Sequence, residues 1–379
     1  MKRIVSAVLL AAASLVFAAS GFAAPDPKGS ASPGPGFTAG KPRVEVTFVL
    51  DSTGSMGGLI EGAKQKIWSI ANAIISRTPT PEVRIGIVTY RDRGDEYVTR
   101  RFDLTEDIDS VYRNLQSITA DGGGDDPESV NQALHEAVTD LAWTPGAKVL
   151  KIIFLVGDYP PHMDYPDDVK YPVTAREAVR RGIIIDTVQC GDVAETTPVW
   201  KEIARMADGS FVALAQSGNM TAMTTPYDEE IARMSAEISS TVITYGDAKK
   251  QEESRSKVAK AAGAPSTVAA DRAAYNLASG GKAIQGTGDL VEDLREGRVD
   301  LGLLPLKQLP LELQGMSPAQ RKEYVASHQA RRDALNARLA ELSEKRADYA
   351  LKERRAAAGS DAFDTKVSQI ISTQAARVR

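Results

Sequence analysis

Residues 44–56 read VEVTFVLDSTGSM. The first seven, Val44 to Leu50, are mostly β-branched and apolar, which predicts a buried strand. Asp51, Thr53 and Ser55 then set three oxygen-bearing side chains on alternate residues. Gly54, Gly57 and Gly58 let the backbone wrap tightly at that point. A carboxylate at the end of an apolar strand is poorly hydrated and needs a partner.

Outward from this stretch, strand and helix patterns alternate. Leu59 to Ser76 has helical spacing, and Arg84 to Tyr90 reads as a second strand. Arg93-Gly94-Asp95 is turn chemistry, with Asp92, Asp95 and Glu96 expected at a solvated hairpin tip. Tyr97 to Leu104 is its hairpin partner, and Asp107 to Ile118 a short helix. A glycine-rich loop spans Asp121 to Asp126. Pro127 is expected in the first helical turn before Ser129 to Leu141. Val149 to Val156 is a nearly unbroken apolar strand ending in Gly157-Asp158. Helices are expected at Val173–Arg181, Pro198–Ala207 and Tyr227–Thr244, with strands at Ile183–Gln189 and Ser210–Ala215. Continuous apolar strands between amphipathic helices predict an α/β fold with a doubly wound, mostly parallel sheet. In such sheets ligands bind beyond the carboxyl ends of the strands. Function should therefore sit in the loops after Leu50, Ile118 and Val156.

These loops supply Asp51, Thr53 and Ser55, then Asp125 and Glu128, then Asp158. Clustered carboxylates repel one another unless a cation intervenes. Hydroxyls mixed with carboxylates suit a hard ion, Mg²⁺ or alternatively Ca²⁺ or Mn²⁺. With one cysteine, an iron–sulfur cluster and a CxxC zinc site are excluded, and three dispersed histidines argue against a His-rich metal site. No Gly-Lys-Ser/Thr follows the glycines, so a phosphate loop is not indicated.

Over roughly Pro42 to Gly246 this constellation resembles the von Willebrand factor type A (VWA) domain with its metal-ion-dependent adhesion site. The family's Asp-x-Ser-x-Ser motif is here Asp51-x-Thr53-x-Ser55. The resemblance implies that the two hydroxyls bind metal directly and that Asp51 and Asp158 act through water. Where the family commonly has a threonine, this chain offers Glu128 as ligand. Asp125 would then be a neighbour or the ligand of an adjacent ion, as in the similar loop of integrin β-subunit domains. The substitution leaves the site more negative. The resemblance further implies one open coordination position, completed by a partner carboxylate. Tyr159 and His162, just past the third loop, are the candidates for touching that partner; for His162 a second metal site or an ordinary loop role stays open.

Outside this region, residues 1–24 read as a signal peptide: a basic start, an apolar stretch and small residues before Pro25. Residues 25–42 are rich in proline and glycine and read as a linker. The sheet domain is expected to fill 43–246. Residues 247–316 read as short helices plus an extended Leu301–Leu313 segment. Residues 317–379 read as a long helix capped at Ser317-Pro318 and a weaker one from Phe363. The long helix has a Val325, Leu335, Leu339, Leu342, Tyr349 seam interrupted by His328, Arg332 and Arg346. That seam fits packing on its own chain or a coiled-coil stalk.

A net charge of −4 makes non-specific nucleic-acid binding improbable. The resulting expectation is an extracytoplasmic (periplasmic or secreted) protein, not an enzyme, that binds a protein partner through a cation. The rivals are a metal-dependent hydrolase at the same site and a cell-envelope spacer.

Overall fold

The computed structural model describes residues 42–356, apart from Thr78, Asp125, Ala147 and Thr221, and residues 363–375. The expected signal peptide, the linker up to residue 41, and Asp125 lie outside the described residues.

Six strands form one sheet: β1 (Arg43–Asp51), β2 (Glu82–Tyr90), β3 (Thr99–Thr105), β4 (Val149–Gly157), β5 (Ile183–Cys190) and β6 (Phe211–Leu214). Their order is β3-β2-β1-β4-β5-β6. Every pairing is parallel except β2 with β3. The order reverses at β1, which lies between β2 and β4. The loops after β1 and β4 therefore diverge to opposite faces and leave a crevice at that switch point.

The helices are α1 (Gly57–Ile75), α2 (Ile108–Gln116), α3 (Val130–Thr139), α4 (Tyr171–Arg180), α5 (Thr196–Met206) and α6 (Asp228–Ser239). They are followed by α7 (Ala248–Ala262), α8 (Ser266–Ala278), α9 (Leu290–Arg295), α10 (Leu311–Gln314), α11 (Pro318–Ala356) and α12 (Phe363–Ala375). Two cores follow from the period-2 alternation of the central strands. Val46, Phe48 and Leu50 of β1, with Ile152 and Phe154 of β4, pack under α1, α2 and α12. Val49, Ile153 and Leu155 pack under α3, α4 and α5.

Three expectations are corrected. Helix α3 starts at Val130, so Pro127 lies in the preceding turn, where the backbone makes an isolated bridge between Glu128 and Pro161. Helix α6 stops at Ser239, and Thr244 instead bridges to Asp289. Leu301–Leu313 is not extended: Pro305 and Pro310 each start a short helical turn, at Leu306–Gln308 and in α10.

The C-terminal helices belong to the same body as the sheet. α8 packs on α1 and α6, and α11 lies along α6, α8 and α9. Tyr275 of α8 meets Trp68 of α1 edge-on at 5.5 Å between ring centres. Phe363 of α12 packs on Phe48 at 6.2 Å, and Val367 and Ile371 share that core. The polar residues in the α11 seam are spent on this chain. Arg332 is buried and bonds Asp289 at 2.6 Å, and Arg346 bonds Asp228 and Asp271, each at 2.7 Å. His328 Nδ1 lies 3.1 Å from the Thr241 carbonyl oxygen. At about 1.5 Å per residue α11 is roughly 58 Å long. Among the described residues no helix is long and apolar enough to cross a membrane.

Candidate metal centre

The three loops meet at the switch point. The first turns sharply after Asp51: the backbone N–H of Thr53 and its hydroxyl both donate to Asp51 Oδ1, at 2.8 and 2.6 Å. The two hydroxyl oxygens of Thr53 and Ser55 are 3.4 Å apart. Ser55 is exposed, while Asp51 and Thr53 are buried.

The second loop is stitched to the first through main chain. Asp121 N donates to the Ser52 carbonyl at 3.1 Å, and Gly54 N to that of Gly122, also at 3.1 Å. Gly123 has φ +83°, and a Cβ there would stand 3.1 Å from Thr53 Cβ. Its close approach to Thr53, together with a left-handed backbone, requires glycine.

Glu128 is then delivered from the turn before α3. Its N–H donates to the Pro160 carbonyl, and its own carbonyl accepts from His162 N, at 3.0 and 3.1 Å. The second and third loops therefore hold each other. Asp158, on the third loop, faces Asp51. Its carbonyl accepts from the Thr196 hydroxyl at 2.7 Å.

One oxygen of each carboxylate is buried without a hydrogen-bond partner: Asp51 Oδ2, Glu128 Oε2 and Asp158 Oδ1. Burial and the Asp158 charge push the Asp51 carboxyl well above the ordinary range. Burial, then the charges of Asp51, Asp92 and Asp158, do the same to Glu128. Unpaired buried carboxylate oxygens are costly, and a cation beside them removes the cost. Among the described residues no three His, Cys, Asp or Glu side chains converge as a direct ligand set. The donors that fit a hard cation are thus the Thr53 and Ser55 hydroxyls, backed by the three carboxylates.

Asp51, Thr53, Ser55, Glu128 and Asp158 lie on the three loops at this edge of the sheet, and the Asp51, Glu128 and Asp158 carboxyls feel one another's charge. The structure corrects the expectation for His162. That ring is buried: Nε2 is 3.2 Å from Asp92 Oδ2 and Nδ1 is 2.8 Å from Asp164 Oδ1. It stacks on Tyr165 at 4.0 Å, and Arg93 covers the Tyr165 ring at 4.0 Å. His162 is a buried brace and cannot line a partner surface. Tyr159 remains half-exposed at the rim.

The solvated-tip expectation for Asp92 is also overturned. Asp92 is buried and accepts from the Ser129 hydroxyl at 2.8 Å and from Tyr165 at 3.1 and 3.2 Å. Burial alone would raise its pKa. The Ser129 hydroxyl, the Arg93 backbone, His162 and Tyr165 outweigh that and hold it below the ordinary range. Asp95 accepts from Asp92 N and Gly123 N, both at 3.0 Å. A second unforeseen residue is Gln216, exposed on the loop after β6. Its amide donates to Asp158 Oδ2 at 2.8 Å and approaches the Ser55 carbonyl at 3.3 Å.

Asp92→Ala strips Ser129, Tyr165 and His162 of a shared buried acceptor. A loss of about 1–3 kcal/mol in urea unfolding is expected, together with weaker Mg²⁺ binding by calorimetry, because Glu128 directly precedes Ser129. Unchanged Mg²⁺ affinity in the folded variant would show that the brace does not position Glu128.

The family model of the von Willebrand factor A domain matches residues 45–166. The chain contains a VWA domain. The human von Willebrand factor A domain-containing protein 7 is 36% identical over 100 residues, 26% of this chain and 10% of that protein. A putative ariadne-like RING finger protein of Acanthamoeba polyphaga mimivirus is 29% identical over 119 residues, 31% of this chain and 11% of that protein. The chain therefore spans about a tenth of the length of these curated relatives. Among solved structures, the SpRpn10 VWA domain aligns with a TM-score of 0.36 and 16% identity, over 47% of this chain and 91% of that one. Proximal thread matrix protein 1 of the mussel byssus, described with a zinc-occupied MIDAS motif, aligns with a TM-score of 0.34 and 15% identity. That alignment covers 46% of this chain and 42% of the mussel protein.

Proposed function

We propose that the VWA domain binds a protein partner through a divalent cation, Mg²⁺ or Ca²⁺, seated on Thr53 and Ser55 and neutralised by Asp51, Glu128 and Asp158. The observation that carries this reading is the trio of buried carboxylate oxygens without partners on the loops that carry the paired Thr53 and Ser55 hydroxyls. The exposed Ser55 leaves one side of the cation to a partner's oxygen. When bound, the ion supplies a Lewis-acidic coordination site. The chain's own groups orient it: Asp51 fixes the Thr53 hydroxyl, and the Asp92–His162 brace fixes the Glu128 loop.

Binding without turnover is the role we assign. A hydrolase at this site would need a general base beside the ion. The one histidine nearby is clamped between Asp92 and Asp164. The leader-like residues 1–24 support an extracytoplasmic location.

Calorimetric titration of the full chain with Mg²⁺ and Mn²⁺ tests the site. One ion per chain, with millimolar or tighter affinity, is expected. Ser55→Ala should weaken binding about tenfold while leaving the fold intact, because its hydroxyl is an exposed donor. Absence of binding, or affinity unaffected by Ser55→Ala, would refute the assignment.

A further inference from the structure

Resting on the reading above, we propose that the partner's metal-completing carboxylate is flanked by lysine or arginine. The surface then selects a mixed-charge segment over a purely acidic one.

The cation does not bring this site to neutrality. Three carboxyl groups, Asp51, Glu128 and Asp158, lie on the loops that carry the two hydroxyls, and each is at most 2% exposed. A divalent ion leaves one negative charge uncompensated. The cationic groups close by are already committed. Arg91 lies 3.7 Å from Glu96 and spends its guanidinium on the carbonyls of Ser52 and Thr119. Arg93 pairs with Asp167 and Asp168 at 2.9 and 2.8 Å. His162 sits between Asp92 and Asp164, and Asp95 adds a further acid beneath Gly123.

The rim continues the same sign. Asp121, Asp126 and Glu195 are exposed. The half-exposed Tyr159 lies within the fields of Asp126, Asp158, Glu128 and Glu195. A partner carboxylate entering this surface meets the ion's attraction and the surrounding repulsion together. Basic residues on either side of that carboxylate would lie over the acidic rim. Opposite unit charges about 7 Å apart across a half-wet surface shift an equilibrium roughly five- to tenfold.

The test uses the full chain in saturating Mg²⁺ and short fluorescent peptides with one central aspartate. Its neighbours are lysine, serine or glutamate, and a lysine-flanked peptide with central asparagine is the control. Anisotropy should rank lysine-flanked about tenfold tighter than serine-flanked, with glutamate-flanked weakest. EDTA and the asparagine control should each abolish the tight binding, and high salt should compress the ranking. Glu128→Thr, which removes one negative charge, should narrow the gap between the lysine and serine peptides. A flat or reversed ranking, or binding by the lysine-flanked peptide that is absent or unaffected by EDTA, would overturn the proposal. Mg²⁺ calorimetry on the same sample separates the two failures. If the ion binds and the ranking is flat, only the partner chemistry is wrong. If no ion binds, the metal centre falls as well.

Discussion

Arg272→Ala is expected to lower the unfolding free energy by about 3–5 kcal/mol. Arg272 and Asp109 are both buried and form a two-point ion pair, Nε to Oδ1 at 2.7 Å and Nη2 to Oδ2 at 3.0 Å. Arg272 also donates to the Ala283 carbonyl, and Gln285 N donates to Asp109 Oδ2, both at 2.7 Å. The pair joins α2 of the VWA domain to α8 of the C-terminal region. Truncating the arginine leaves Asp109 buried with its charge unanswered. Replacing both, Arg272→Met with Asp109→Leu, removes that penalty and should cost less than the single change. Urea unfolding of the two variants checks the order. If Arg272→Ala cost under about 1 kcal/mol, the buried contact between the regions would be energetically idle.

Asp51→Asn should produce two opposite effects in one protein. It should abolish the thermal stabilisation expected of Mg²⁺ in the wild type if the proposed site binds it, about 2.7 kcal/mol at a hundredfold excess over Kd. It should also raise the midpoint of the metal-free protein. Asp51 is fully buried, and its Oδ2 has no hydrogen-bond partner. Its carboxyl is held well above the ordinary range by burial and by Asp158. The native state therefore binds a proton that the unfolded chain has released. The corresponding stability is complete in acid and is lost as pH rises from the ordinary carboxylate range through the raised folded value. The asparagine variant lacks this term, so its metal-free midpoint should fall less steeply with pH. Differential scanning calorimetry with Mg²⁺ and with EDTA across that range decides the matter. A metal-free Asp51→Asn protein less stable than wild type at neutral pH would contradict the electrostatic account.

The parts legible in the sequence were those with local causes. β1, β4 and β5 are rich in apolar and β-branched residues, as strands covered on both faces require. Asp51, Thr53, Ser55 and Asp158 follow directly on such runs, so their place at the sheet edge could be read off. Asp92 was misread because Asp-Arg-Gly-Asp is good turn chemistry. Its burial depends on Ser129, His162 and Tyr165, which are 37 to 73 residues away. Gln216 was missed because a lone glutamine after a short strand carries no pattern. The docking of the C-terminal helices was equally hidden. Their inward faces mix apolar residues with alanine and buried arginine, and the acids that make those arginines buriable lie as far as 163 residues away. The two prolines of Leu301–Leu313 suggested extended chain rather than helix. Each restarts one in its own first turn, however, and the result is two short turns.

Helix α12 sets a limit on how this protein can be dissected. The helix closes one face of the sheet, with Phe363, Val367 and Ile371 in the same core as Phe48 and Phe154. Gln374 holds the buried Asp186 through two bonds of 2.8 Å. Its first residue, Phe363, donates its N–H to the Gly218 carbonyl, two positions along from Gln216 at the cation loops. The smallest fragment that can report on the proposed binding surface is therefore not the stretch that the family pattern delimits. An expression boundary drawn at Gly246 would strip a wall from the hydrophobic interior and unmoor the loop that reaches Asp158. Constructive dissection must retain the far end of the chain, or supply that helix in trans.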